Sequence, residues 1–402
     1  MTETAPTTPS PASPAAIWLR GLALLLAAGG GFIALRLFNH ELYGRRESFT
    51  FLMGLLFGWT LQRARFCFFC MLRDLFSGRD SRAVLSVLLA LAVGLLGHLV
   101  IIGAWIPDAT AGHLPPRAHI GPVSWVLLVG GLVFGMGMSF SGSCISAHFY
   151  RIGEGSPLAP ITLLGALGGV ILALRSWNFF YLRTLTDAPV IWIPARTGFA
   201  LSGLLPLLLL GLLAFWLLKW LPEPAPRTRI TRQSLVEAIF VKRWSGWVGG
   251  ILIGLISTFS LLRANPLGVT AEMNRLARDL GARMNWLPER LEGLDTFRGC
   301  RVELDAGLFT PNALFVLAII AGGFIGALGM GEWSLSRPKL KAYPLALLGG
   351  VFLGWGSTLA FGCTVGTLLS GIHAGALSGW IFFAAMLLGV YLTLPVRNWA
   401  ER

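Results

Sequence analysis

Long apolar runs recur along this 402-residue chain, and they restrict its fold more than any other feature. A run of about 20 apolar residues crosses a bilayer as one helix. Hydrophobic side chains make up 55% of the chain and charged ones 13%, which is too apolar for a soluble domain of this size. We therefore predict an all-α polytopic membrane protein. The predicted crossings are 16–38, 48–66, 82–105, 123–156, 157–175, 198–221, 245–262, 311–330, 343–373 and 375–394.

The net charge of +13 comes from lysines and arginines that lie mostly in short connections between the apolar runs. Membrane orientation explains such a distribution, so nucleic acid is not an expected partner and the lipid bilayer is. The basic connections 63–82, 222–244 and 331–342 are assigned to the cytoplasm. Ten crossings then place both termini in the cytoplasm and leave 103–122 and 176–197 outside.

Two glycine-rich stretches resemble each other. The pattern Gly-Gly-x-x-x-Gly-x-Gly begins at Gly130 and again at Gly349, and a cysteine follows each copy, Cys144 and Cys363, at the same spacing. An apolar helix that ends in glycines, hydroxyls and a thiol is typical of broken or re-entrant helices that hold a site at the midplane. Since the predicted topology runs the two segments in opposite directions, we expect an internal, inverted repeat. The glycines can alternatively serve close helix packing alone.

The predicted organisation follows from this repeat. The chain is predicted to divide into a disordered tail, an extra transmembrane helix, two repeats and the region between them. Within the second repeat, 264–306 is predicted to be an external connection, either with amphipathic helices on the membrane surface or as a solvated loop. The segments are 1–15 (tail), 16–47 (extra helix), 48–175 (first repeat), 176–244 (connecting helix and basic cytoplasmic loop) and 245–395 (second repeat).

The cysteines are the leading candidates for chemistry. Free cysteine often packs as a small hydrophobe, but the repeat and the neighbouring hydroxyls favour a functional role for Cys144 and Cys363. Cys67 ends a predicted crossing and forms a Cys-x-x-Cys with Cys70, which outside a thioredoxin-like fold is a weak redox signal. Cys300 receives no role. No cysteine or histidine spacing matches a zinc motif, so neither a metal nor a cofactor is predicted.

Polar side chains inside a membrane usually face its interior, and several lie beside these thiols. Hydroxyls can alternatively bond only to their own helix, and Arg65 can simply mark the cytoplasmic boundary. No catalytic residue is predicted. The candidate substrate-binding residues are Cys67, Cys144, Cys363, Gln62, Arg65, Ser141, Ser143, Thr364, Thr367 and Ser370.

Three groups of residues resemble motifs of the YeeE/YedE family of membrane proteins, which includes bacterial thiosulfate uptake transporters. They are Gln62-Arg63-Ala64-Arg65-Phe66-Cys67-Phe68, Gly142-Ser143-Cys144 with Tyr150-Arg151-Ile152-Gly153-Glu154-Gly155, and Phe361-Gly362-Cys363-Thr364-Val365-Gly366-Thr367 with Ser370-Gly371. The resemblance implies an hourglass-like helical body with inward-dipping short helices. It also implies that Cys67, Cys144 and Cys363 line a central path.

The resemblance further implies a thiosulfate permease rather than an enzyme. Thiols would pass the anion along by transient S–H···S hydrogen bonds, since a neutral thiol is a weak donor that does not trap its ligand. It also implies a bacterial inner membrane and a TusA-like cytoplasmic sulfur carrier as partner. Two alternatives stay open, namely transport of another sulfur or selenium species and a membrane thiol-disulfide oxidoreductase that uses Cys67 and Cys70. The extra Cys70 and the segments 1–47 and 264–306 depart from the family pattern.

Overall fold

A computed structural model of the chain describes residues 14–40, 44–221, 242–294, 310–335 and 337–401. These residues are predominantly helical, and their only extended pairings are two isolated bridges, Pro122 with Val190 and Trp192 with Ala376. The all-α class predicted from the apolar runs is therefore confirmed for the described part of the chain. Most of the predicted tail and Cys300 lie outside the described residues.

The helices are numbered in chain order. Two π-helical turns, Tyr181–Leu185 and Thr364–Ser370, and the 3₁₀ turn Leu218–Trp220 interrupt or extend them. The α-helices are α1 Pro14–Phe38, α2 Arg45–Arg63, α3 Phe68–Gly78, α4 Arg82–Trp105, α5 Trp125–Ser141, α6 Ile145–Gly153, α7 Leu158–Arg175, α8 Trp177–Phe180, α9 Pro194–Leu217, α10 Gly246–Arg263, α11 Thr270–Arg283, α12 Pro311–Met330, α13 Ala342–Leu359, α14 Gly371–His373 and α15 Leu377–Glu401.

Nine helical stretches of the described chain are long and apolar enough to cross a membrane. They correspond to nine of the ten predicted crossings, with α5 and α6 forming one stretch, so the chain is a multi-pass membrane protein. The predicted crossing 48–66 forms α2, which is helical but carries charged residues at both ends and is not among the nine. It packs against α1, α10 and α12 and buries Phe57 and Leu61.

The two glycine-rich helices, α5 and α13, pack directly against each other in antiparallel fashion. A Cβ added at Gly137 would lie 2.8 Å from the carbonyl oxygen of Gly349, and one added at Gly356 would lie 2.6 Å from that of Gly130. Any side chain at these positions would separate the two backbones. The glycines are therefore required for the close approach of the helices that end at the two breaks.

Helices from the first half of the chain pair mainly with helices from the second half. The most extensive contacts join α7 to α13, α2 to α12, α5 to α13, α5 to α15, and α4 to α10. Each pair brings together a helix before residue 176 and one after residue 244. The two halves therefore interlock, and neither forms a compact body by itself.

Connections predicted to be cytoplasmic contact one another at one end of the helical body. The backbone N–H of Trp244 donates to Arg63 O at 3.1 Å, and that of Ser334 donates to Glu154 O at 3.3 Å. These bonds tie the segment after α2 to the start of α10, and the turn after α6 to the segment after α12.

Connections predicted to be external contact one another at the other end. The backbone N–H of Val123 donates to Pro189 O at 2.9 Å. The indole N–H of Trp177 donates to Glu292 O at 2.9 Å. The segments before α5, around α8 and after α11 therefore meet on one side of the body.

The beginning of the predicted external connection 264–306 lies inside the protein. Leu267, Val269 and Thr270 are buried, and Thr270 begins α11. Helix α11 packs on α7 and contacts α12 and α13. Residues 295–309 lie outside the described part of the chain.

Candidate functional site

The same local backbone arrangement places all three predicted site cysteines. A long helix ends, one residue adopts a left-handed conformation, and the cysteine follows two positions later, directly before a short helical segment. The left-handed residues are Arg65 (φ 45°) before Cys67, Gly142 (φ 83°) before Cys144 and Phe361 (φ 60°) before Cys363. The breaks expected at Cys144 and Cys363 are therefore present, and a third break of the same form lies before Cys67.

The thiols of Cys67 and Cys144 lie side by side. The two cysteines are distant in the chain, since Ser143, the residue before Cys144, is 76 positions after Cys67. Both side chains are 1% exposed. The Cys67 thiol donates to the Ser143 hydroxyl at 3.7 Å, and the Cys144 sulfur lies 3.2 Å from the Ser146 hydroxyl. Sulfur and hydroxyl groups from two breaks therefore meet in one buried cluster. All four cysteines of the described residues are free.

Cys363 has a different set of neighbours. Its thiol is fully buried and lies beside the Thr270 hydroxyl and the backbone N–H groups of Val365 and Gly366. Cys363, Cys67 and Cys144 belong to one continuous buried cluster in the centre of the protein. The three thiols are thus connected through packed side chains.

The predicted hydroxyl residues fall into two groups. Ser141 donates to Gly137 O at 2.8 Å, and Ser370 donates to Leu267 O at 3.0 Å, so both hydroxyls stabilise the backbone. Thr367 donates to Ala360 O at 2.9 Å and also lies near His119. Ser143 accepts from the Cys67 thiol and so contacts a site cysteine directly.

Several buried polar atoms lack a hydrogen bond of good geometry among the described residues, although Gln62 lies beside the Glu154 carboxylate and His148 beside the Ser143 backbone. They include both ring nitrogens of His148, both amide atoms of Gln62 and the hydroxyl of Thr364. Burying such groups without a partner costs about 1–3 kcal/mol each. Water or a polar solute in a path beside them would supply the missing hydrogen bonds.

Arg65 is not brought to the thiols. Its side chain is exposed and lies near the carboxylates of Glu154 and Glu332 at the basic end of the body. Burial raises the pKa of Glu154, and burial likewise raises the pKa of Glu332, against the opposing effect of nearby arginines. Glu332 also accepts a salt bridge of 2.7 Å from Arg243. The visible role of Arg65 is therefore to form the turn before Cys67.

Two residues of the site were not predicted from the sequence. Thr270 and His119 lie in segments assigned to external connections, yet Thr270 reaches Cys363 and the His119 Nε2 atom lies 3.3 Å from the Thr367 hydroxyl. Cys67 and Thr270 both follow a turn after a long helix, and this shared position is a signal that could have identified Thr270 as a site residue. Across the described residues there is no group of three or more histidine, cysteine or carboxylate side chains suited to a metal ion.

These features define a class. Broken helices that meet around buried polar groups inside a polytopic helical body are typical of membrane transporters for small solutes. The chain belongs to the family described as sulphur transport, whose sequence profile matches residues 63–392. This membership confirms the family resemblance and a transporter rather than an enzyme.

Named relatives agree with this assignment. The chain is 27% identical over 350 residues to the thiosulfate transporter TsuA of Escherichia coli, covering 84% of this chain and 91% of that protein. It is 27% identical over 352 residues to the thiosulfate transporter TsuA of Spirochaeta thermophila, covering 84% and 95%. It is also 26% identical over 159 residues to the probable transporter YedE of Escherichia coli, covering 39% of each chain.

Proposed function

We propose that this protein imports thiosulfate across a bacterial plasma membrane and that Cys67, Cys144 and Cys363 bind the anion in turn during its passage. The relatives named as thiosulfate transporters support the substrate. The observation that carries the mechanism is the meeting of the Cys67 and Cys144 thiols with the Ser143 hydroxyl in one buried cluster.

Protonated thiols suit this task physically. An S–H group is a weak donor, so it can bind the terminal sulfur of thiosulfate briefly and release it to the next thiol. A thiolate would repel the dianion and invite covalent exchange. The N–H groups at the start of α3 and α6 add positive potential beside Cys67 and Cys144, which favours an anion.

We extend the proposal to the arrangement of the chain and to a partner. The antiparallel contact of α5 with α13 and the pairing of helices between the two halves support an inverted repeat. A TusA-like sulfur carrier would bind at the end that carries the arginine-rich turns, which the positive-inside rule assigns to the cytoplasm.

Uptake of radiolabelled thiosulfate into cells that lack other thiosulfate permeases tests this function. We expect Cys144→Ala and Cys363→Ala to reduce uptake by at least about tenfold, because each removes the donor at one step of the path. Ser139→Ala is the matched control, since Ser139 is equally buried but bonds within α5.

Two outcomes would contradict the proposal. Wild-type uptake by both cysteine variants, at equal protein levels in the membrane, would exclude a thiol path. Thiosulfate would be excluded if an excess of it, unlabelled, failed to compete with the transported solute while another sulfur or selenium anion did compete. That result would favour a different solute on the same scaffold.

A further inference from the structure

Cys70, the cysteine that departs from the family pattern, contacts a cation. Arg151 on α6 directs Nη2 to the Cys70 sulfur at 3.5 Å and Nη1 to Gly142 O at 3.5 Å. The Cys70 thiol also lies beside the Cys67 thiol, one turn earlier on the chain. A guanidinium and a fourth thiol therefore continue the thiol cluster toward the end that carries the arginine-rich turns.

The charge of Arg151 is largely buried and has no direct counterion. Among the described residues no carboxylate forms a salt bridge with Arg151, and Glu154 acts on it only at longer range. Its two contacts are long and go to a thiol and a carbonyl, which compensate a buried cation poorly. Removing a charge from water without an opposite charge is costly, so the position favours binding of an anion.

His148 supplies a second, independent observation. It lies one turn before Arg151 on α6 and is 2% exposed. Its ring lies beside the Ser143 backbone, but neither ring nitrogen makes a hydrogen bond of good geometry among the described residues. Arg151 and Cys67 both lie close enough to affect it electrostatically. A buried ring whose nitrogens lack well-formed hydrogen bonds, beside a cation with no direct counterion, indicates a place where a polar ligand is bound.

We propose that Cys70, Arg151 and His148 form a separate binding site for the oxyanion substrate at the cytoplasmic end of the path. The Arg151 guanidinium donates to the sulfonate oxygens, His148 donates to one of them, and the Cys67 and Cys70 thiols contact the terminal sulfur. Binding is non-covalent. This inference rests on the proposed function and adds a fourth site, which holds the oxygen end of the anion while the thiols hold its sulfur.

The kinetics of thiosulfate uptake test the site. We expect Arg151→Gln to raise KM about tenfold and Cys70→Ala to raise it about threefold, because hydrogen bonds to a charged ligand are lost. Arg151→Lys should recover part of the affinity, since it restores the charge but not the two-pronged geometry. Arg79→Gln removes the same charge from an exposed position at the end of α3 and should leave KM unchanged.

A labelling experiment reports on the site without requiring transport. In purified protein, thiosulfate should slow the maleimide modification of Cys70, measured by tandem mass spectrometry, at least about threefold in the wild type and not in Arg151→Gln. If Arg151→Gln fails to reach the membrane, the site is tested by two other results. They are the protection of Cys70 by thiosulfate in the wild type and the KM of Cys70→Ala.

The outcomes separate the two proposals. This site would be overturned if Cys70→Ala had an unchanged KM and thiosulfate did not protect Cys70. The proposed function would still stand if thiosulfate uptake by the wild type required Cys144. Absence of thiosulfate uptake and of Cys70 protection by thiosulfate in the wild type would overturn both.

Discussion

Cys144 has a thiol beside it as well as the Ser146 hydroxyl, whereas the side-chain neighbour of Cys363 is a hydroxyl. Thr270 lies beside Cys363, and Cys67 lies beside Cys144. Both neighbours stand at the start of a short helix that follows a long one, α11 after α10 and α3 after α2. In the proposed inverted repeat, Thr270 is therefore the counterpart of Cys67.

Replacing Thr270 tests this equivalence. Thr270→Val removes the hydroxyl, and we expect thiosulfate uptake to fall roughly fivefold because a substrate at Cys363 loses one neutral hydrogen bond of about 1 kcal/mol. Thr270→Ser should keep most of the uptake. Thr393→Val is the control, since Thr393 is also buried but bonds only to Gly389 O of its own helix. Equal uptake by Thr270→Val and wild type would remove Thr270 from the path.

Residue by residue, the sequence predicts best where chemistry and local pattern coincide. Cys144 and Cys363 are marked by glycines and hydroxyls on the same short stretch, so both could be singled out. Thr270 and His119 arrive from connections whose composition resembles an ordinary loop, and only tertiary packing brings them to the site. Arg65 was predicted for its charge, whereas the structure displays its backbone conformation.

At the scale of elements, the three turns before the cysteines show what a local sequence can encode. The break before Cys144, which the glycines and hydroxyls predicted, has Gly142 at its left-handed position, where glycine carries no steric cost. The break before Cys67 uses Arg65 at φ 45°, and the one before Cys363 uses Phe361 at φ 60°. A left-handed arginine or phenylalanine is uncommon, so no propensity rule reveals the shared geometry of the three turns.

Substitutions at Arg65 distinguish conformation from charge. Arg65→Gly fits the left-handed turn, and we expect wild-type uptake and a free energy of unfolding within about 1 kcal/mol of wild type, because the side chain is exposed. Arg65→Val places a β-branched residue there and should destabilise the protein by about 1–3 kcal/mol. Thermal unfolding in detergent and uptake measure the two effects. A large loss of uptake in a stable Arg65→Gly protein would show that its charge acts on the substrate.

At the scale of the whole molecule, the spacing of the two glycine patterns indicates duplication but not how the copies pack. Helix α5 precedes α7 in the chain, yet it packs mainly on α13 and α15, and α7 packs mainly on α13. Such pairings depend on long-range contacts across more than 150 residues, for which hydrophobic periodicity carries no information. The apolar runs predict the nine membrane-length stretches of the described chain, while the partners of these helices required the folded protein.

The hydrogen bonds between connections show which connections lie at the same end of the protein. They therefore lead to a prediction of its membrane topology. Trp244 with Arg63 and Ser334 with Glu154 mark one end, while the segments around 123 and 189 meet at the other. The excess of arginine at the first end assigns it to the cytoplasm. We expect a fluorescent protein inserted at 337–341 or fused to the C-terminus to fluoresce, and alkaline phosphatase fused after 112 or 187 to be active, since the former folds in the cytoplasm and the latter outside.

Fusions in which the two reporters are exchanged provide the control, because each site should then be silent. An insertion at 337–341 that reports the same side as a fusion after 187 would contradict the division into two ends. It would also remove the inverted relation between the halves, since α5 and α13 would then cross the membrane in the same direction and could not pack as antiparallel neighbours through Gly137 and Gly349.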